Sequence, residues 1–351
     1  MCIDINKRVQ WLDILRGLTT VLVVIGHSEI GTFSKYIYWF HMPLFFVLSG
    51  LLFKSLKYTN EIESFIKKRT SRLLIPYFSY LILVFTFCQL PILVMQDTDF
   101  LHMCTHFLIV LFIGGRAVGG LFGVYWFFTC LLITQIIFAV IHTSIKSIKY
   151  QLLIIFALYL LAHIEANYIK AGFMSISIPW NADVSMFALL FYAFGFYAKD
   201  LLDLKRLKSI KILSISINMN AVCITAIILS VVFIILNING IIDYSLDLKH
   251  VIYNNILLDL FIPIIFILST VYITQFNLPY NVKTVLTSIG TNSLPIIFLH
   301  IPIKYSIDVA NHLFIHTNSG LSIIYIVLGI ILPFYLNILI FRKISFVPLT
   351  G

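Results

Sequence analysis

Apolar runs close to twenty residues long recur along the whole of this 351-residue chain. A run of that length is what an α-helix needs to cross a bilayer core of about 30 Å. About ten candidates can be drawn, near residues 11–30, 37–54, 73–95, 121–142, 150–164, 183–200, 210–236, 252–274, 287–306 and 321–341. The fifth is short and either starts earlier or lies tilted. A further apolar piece, Phe107 to Ile113, is too short to cross and runs into Gly114-Gly115, which predicts a re-entrant or interfacial segment. Composition agrees: the chain is 60% hydrophobic and only 11% charged, with a mean hydropathy of +1.00. A soluble protein of this size needs far more polar surface. The expectation is an all-α, polytopic membrane bundle forming one domain over residues 1–351.

Basic residues orient the bundle. With the N-terminus inside, the cytoplasmic side receives most of the 24 Lys and Arg residues, including Lys7, Arg8, Lys67, Lys68, Arg69, Arg72, Lys205, Arg206, Lys208, Arg342 and Lys343. The outer side keeps Lys35, Arg116, Lys170, Lys249 and Lys304. That asymmetry obeys the positive-inside rule, and an even number of spans puts both termini in the cytoplasm. It also accounts for the formal charge of +9 without a nucleic-acid partner. The short polar start, Met1 to Gln10, leads into the first span and carries no small-residue cleavage site, so no cleavable signal peptide is expected. Five scattered cysteines, among them Cys2 and Cys130, have no paired spacing and read as packing residues.

The first span carries Asp13, Arg16, Thr20 and His27. Eleven residues of α-helix turn through about 1100°, so Arg16 and His27 fall within about 20° of one line and about 16 Å apart along the axis. Asp13 and Thr20 lie on the same stripe, within about 60° of Arg16. Ionisable groups inside a span are expensive and mark a functional interior, although a helix-packing polar network or a simple Asp13–Arg16 pair would also account for them. Glu29 lies on the opposite side of the helix and can orient His27 only if the helix breaks at Gly26. In the assumed topology His27, His41, Trp126 and His300, from four different spans, share a level in the outer half of the bilayer. On the inner side Lys67-Lys68-Arg69-Thr-Ser-Arg72 brings four cations to the base of the third span. Arg69 and Arg72 are one helical turn apart and suit phosphate, since guanidinium donates charge-assisted bidentate hydrogen bonds. A topology signal held against anionic lipid is the alternative. His102-x₃-His106 and His312-x₃-His316 have ligand-compatible spacing, but no carboxylate or cysteine joins them, and no metal is expected.

These residues resemble a known family. Asp13-x-x-Arg16-Gly with Arg16-x₁₀-His27, then Tyr38-Trp39-Phe40-His41-Met42-Pro43, then Arg69-Thr-Ser-Arg72-Leu-Leu-Ile-Pro76-Tyr77 are similar to motifs of the integral-membrane acyltransferase family three. Trp126-Phe127, Phe194-Gly195-Phe196 and Gly290-Thr291-Asn292-Ser293-Leu294 through His300 continue the likeness. Pro295 and Phe298 depart from it, standing where relatives often carry an aliphatic or small residue and a tyrosine. The resemblance implies an O-acetyltransferase of the bacterial inner membrane. It would move acetyl from cytoplasmic acetyl-CoA to a sugar hydroxyl of a surface polysaccharide or its lipid-linked precursor, with no appended extracytoplasmic domain. On that reading Arg69 and Arg72 hold CoA phosphates and Arg16 orients the donor. His27 acts at the thioester, as general base or as acyl carrier. His41, Trp126 and His300 shape the acceptor site. Transfer of succinyl or another acyl group is the nearest alternative. A polytopic transporter or flippase is the rival from another class, against which stands the lack of an internal repeat: the first span has no charged counterpart near residues 180–200.

Overall fold

The computed structural model describes residues 10–56, 58, 60–95, 99–170, 178–204, 209–212, 215–253, 255–315 and 320–341. Both termini therefore lie outside the described residues, with Cys2, Lys7, Arg8, Arg342 and Lys343, as do Lys205, Arg206, Lys208 and His316. The helices are α1 (Gln10–Gly26), α2 (Phe33–Tyr38), α3 (His41–Leu51), α4 (Asn60–Val84), α5 (Leu90–Met95), α6 (Phe100–Leu108), α7 (Trp126–Ser144) and α8 (Ile148–Lys170). They continue as α9 (Val184–Tyr197), α10 (Lys199–Leu202), α11 (Met219–Ile238), α12 (Ile256–Tyr272), α13 (Tyr280–Thr291), α14 (Ser293–Ala310) and α15 (Leu321–Leu336). Among the described residues, 7 continuous helical stretches are long and apolar enough to cross a membrane, and the bundle is polytopic and helical. The shorter helices α1, α3 and α9 are packed into its interior, most of their residues buried.

Helix occupies every candidate span, but several boundaries move for local reasons. The third span starts earlier, at Asn60, and runs on through a π-turn at Phe85–Gln89, so Arg69 and Arg72 sit within the helix rather than at its base. The fifth extends at both ends to 23 residues. The seventh begins late: Ser209–Ile212 pairs antiparallel with Ile215–Asn218, and the Asn218 side chain then caps α11 by accepting from the backbone N–H of Asn220 at 2.9 Å. The eighth starts at Ile256, where Asn255 Oδ1 accepts from the N–H groups of Leu257 and Leu258. The ninth is two helices broken at Asn292. The Asn292 amide turns back to donate to the Ser288 carbonyl at 2.7 Å. Pro295, which lacks an N–H, falls in the first turn of the new helix, where none is needed. The apolar piece ending in Gly114-Gly115 is a short helix, Phe100–Ile113, too short to span.

Two helix crossings hold the interior together, and each depends on a reciprocal pair of glycines. Where α1 meets α13, a Cβ added to Gly17 would overlap the Leu286 carbonyl, and one added to Gly290 would overlap the Asp13 carbonyl. Where α3 meets α9, a Cβ on Gly50 would overlap the Tyr192 carbonyl and one on Gly195 the Val47 carbonyl. Lipid gives helices no hydrophobic reason to associate, so such close backbone approach supplies the van der Waals contact that does. The α1–α13 crossing positions the start of the charged stripe, and the α3–α9 crossing sets the helix that begins at His41.

Candidate active site

The polar residues of the first span divide into two groups. At the Arg16 end, an Arg16 guanidinium nitrogen lies 3.9 Å from a carboxylate oxygen of buried Asp13. The Thr20 hydroxyl donates back to the Arg16 carbonyl at 2.9 Å. Arg16 is half-buried and lies away from the cavity described next. At the other end α1 stops at Gly26, one residue before His27, and the chain turns through Glu29 with φ +56°. The break does not bring Glu29 to His27: Lys304 Nζ donates to its carboxylate at 3.0 Å instead. The partner of His27 is Tyr38, whose hydroxyl lies 3.3 Å from His27 Nδ1.

His27, Tyr38, His41 and Trp126 line one cavity of about 290 Å³. His27 follows α1, Tyr38 ends α2, and His41 and Trp126 begin α3 and α7. The geometry assigns the tautomer of two histidines. His41 Nδ1 faces the Ile37 carbonyl at 2.8 Å and His300 Nδ1 the Ile296 carbonyl at 3.0 Å. A carbonyl only accepts, so both rings donate through Nδ1 and, when neutral, carry a bare lone pair on Nε2. The His300 ring is fully buried, with its centroid 5.4 Å from that of His27. Its neighbour Phe298 stacks between Tyr80 (4.7 Å) and Phe128 (4.1 Å), so the departure at that position is a packing choice. The four outer-level residues read from the sequence thus converge.

The opposite wall comes from a segment that the sequence does not single out, the connection between α11 and α12. Asp247 and Ile252 exchange backbone hydrogen bonds of 3.1 and 2.9 Å, closing a tight loop in which Val251 takes φ +57°. A left-handed conformation is costly for a β-branched residue and persists only where the surroundings enforce it. The loop presents Asp247, Lys249 and His250 to the cavity. His250 donates to Asp247 through its Nδ1 at 2.9 Å and its backbone N–H at 3.2 Å. Burial pushes the Asp247 carboxyl up, but these bonds overcome it and leave the group below its ordinary value. Burial pulls the Lys249 ammonium down, opposed by the charge of Asp247. No motif marks these residues; the only signal in the sequence is an Asp, a Lys and a His together in one connection between spans.

Arg116, which charge counting places outside, does not line the cavity but braces this wall. Its guanidinium pairs with buried Asp183, and its backbone N–H donates to Asn181 Oδ1 at 2.7 Å. Asn181 in turn donates through Nδ2 to the Lys249 carbonyl at 3.1 Å.

The cationic helix lies elsewhere. Arg69 on α4 is half-buried, with its guanidinium 5.3 Å from the centroid of the Phe65 ring, and Arg72 is exposed. Neither lines the histidine cavity. Phe65 packs on Phe53 (5.4 Å), which itself contacts His142 at the far end of α7 from Trp126. The arginines therefore sit at the end of the bundle opposite His41, since α3 runs from His41 to Leu51 between them, about 15 Å of helix. A shallow depression of about 550 Å³ lies along α4 beside Lys67, Thr70 and Ser71. His102 and His106 lie on α6 with no third ligand; among the described residues no group of three or more His, Cys, Asp and Glu could hold a metal ion.

No curated protein and no solved structure matches this chain. A family model described as an acyltransferase domain, that of acyltransferase family 3, matches residues 9–342, nearly the whole length. The match runs from the start of α1 past the end of α15 and so takes in both the histidine cavity and the arginine helix. The chain belongs to acyltransferase family 3 and is a multi-pass membrane acyltransferase.

Proposed function

We propose that the protein is an O-acetyltransferase of a bacterial inner membrane. It takes acetyl from cytoplasmic acetyl-CoA and places it on a sugar hydroxyl of a surface polysaccharide or its lipid-linked precursor. The observation that carries this reading is the division of labour along the bundle: histidines around a small cavity at one end, two arginines at the other. CoA has the same division, with phosphates at one end and a thioester at the far end of a flexible arm. Arg69 and Arg72 would meet the phosphates through charge-assisted hydrogen bonds. Arg16, between the two ends, would orient the arm. The membrane lipids close the outside of the bundle.

In the cavity His27 is the base. Tyr38 engages its Nδ1, leaving Nε2 to take the proton of the attacking hydroxyl, a role an imidazole fills near neutral pH. His41 and Trp126 flank the acceptor, the indole stacking on the apolar face of a sugar ring. His300, fully buried against His27, keeps that ring in place. Transfer of radiolabel from acetyl-CoA to surface polysaccharide, in membranes carrying the wild type or His27→Ala, tests the proposal. Labelling that requires His27 supports it. Labelling that survives His27→Ala removes His27 from the mechanism, and no labelling with the wild type removes acetyl-CoA as donor.

A further inference from the structure

A base accounts for only half of acyl transfer. Attack on a thioester carbonyl places a full negative charge on the carbonyl oxygen, and stabilising that charge is commonly the largest single contribution to such a reaction. The other histidines are poor donors for it when neutral, because His41 and His300 commit their Nδ1–H to backbone carbonyls and His250 commits its own to Asp247, which leaves each Nε2 without a proton. With His27 Nε2 as the base, its Nδ1–H donates to the Tyr38 oxygen, so the Tyr38 hydroxyl can still donate, but only as a neutral group. Of the described residues lining the cavity, Lys249 alone is a lysine or arginine.

We propose that Lys249 is a catalytic residue of this transferase, its ammonium receiving the oxyanion that forms when the acceptor hydroxyl attacks the thioester. The inference rests on the acyl-transfer reading above. In the step, the hydroxyl oxygen bonds to the carbonyl carbon as His27 Nε2 takes the hydroxyl proton. The carbonyl π pair moves onto oxygen and is held by Lys249. Collapse re-forms the C=O bond, breaks the C–S bond, and returns the proton from His27 to the departing CoA sulfur.

Lys249 is held at both its ammonium and its backbone. Nζ donates to the Val118 carbonyl at 3.1 Å, which uses one of its three N–H bonds and leaves two. The Lys249 carbonyl is fixed by Asn181, and Asn181 by the backbone of Arg116, whose guanidinium is locked to Asp183. Gly123 lies beneath the side chain: a Cβ there would come to 3.4 Å from Nζ. Asp247, the one carboxylate among the described residues lining the cavity, is occupied by His250. A charge restrained in this way needs no reorganisation when the oxyanion appears.

The test is steady-state transfer from acetyl-CoA by purified, membrane-reconstituted wild type, Lys249→Met and Lys249→Arg, with thermal melting of each protein. The expected result is a kcat for Lys249→Met about 10²–10³-fold lower, KM for donor and acceptor little changed, and partial rescue by Lys249→Arg. Lys249→Gln, which keeps a donor for Val118 but no charge, replaces Lys249→Met if that variant does not accumulate, with the same expectation. An unchanged kcat overturns the inference. So does a rise in acceptor KM alone, which makes Lys249 a recognition group, and so does a loss of melting temperature that Lys249→Arg restores without restoring kcat. An inactive wild type is a different failure: it defeats the acetyl-CoA reading itself.

Discussion

The two ends of the bundle solve opposite problems. The histidine end is built on buried groups: His41 and His300 are buried, their Nδ1 atoms tied to carbonyls four residues back, and the loop that carries Lys249 is braced by a buried ion pair. The arginine end is open: Arg72 is exposed and Arg69 only half-buried over a single phenyl ring. Groups that act on a developing charge gain from a fixed geometry and a low dielectric. Groups that capture a phosphate from water gain from reach and permanent charge, and need neither burial nor bracing. Damage at the first end should therefore appear in kcat and damage at the second in KM.

The largest effect is expected from His27→Ala, with kcat for acetyl transfer lower by about 10²–10⁴-fold and donor KM unchanged. An equal loss from an arginine substitution would erase the contrast between the ends. Next comes Arg69→Ala with Arg72→Ala, which should raise the KM for acetyl-CoA by about tenfold or more at nearly constant kcat, since hydrogen bonds to charged groups are worth about 1.5–3 kcal/mol each. Titrating acetyl-CoA against the variant checks this, and an unchanged KM leaves the arginines as a topology signal only. Tyr38→Phe removes one hydrogen bond to His27, worth about 1 kcal/mol, so kcat should fall by no more than about tenfold. The smallest effect concerns pH. Asp247 titrates below its ordinary value of 3.8 in the folded protein, so its contribution to stability is complete above that value and is lost as the pH falls through the lower, folded one. Melting followed from pH 6 to 3 should show an acid loss that Asp247→Asn lacks; identical profiles would mean that the loop does not depend on this carboxylate.

How far the sequence reaches can be judged residue by residue. His27, His41, Trp126 and His300 are legible because a polar group in an apolar run is conspicuous, and the direction of each span gives its depth. Tyr38 is not, because a tyrosine near a membrane surface is unremarkable. Lys249 counts only as an outer charge, since nothing local says that residues 247–252 fold inward. Glu29 illustrates the converse: the helix does break at Gly26, yet Lys304 on α14 takes its carboxylate.

The sequence by itself determines that the chain is a helical membrane bundle and roughly where its apolar helices lie, and it marks the histidines and the tryptophan that later converge, because those properties follow from hydropathy and the 3.6-residue period. The tertiary structure alone decides which groups touch. Four separated pieces, the end of α1, the start of α3, the start of α7 and the loop before α12, meet around one cavity. They do so because reciprocal glycines let two helix pairs approach backbone to backbone and because Asn181 bridges the Arg116 backbone to Lys249. Such contacts depend on shape across long stretches of chain, and no local spacing encodes them.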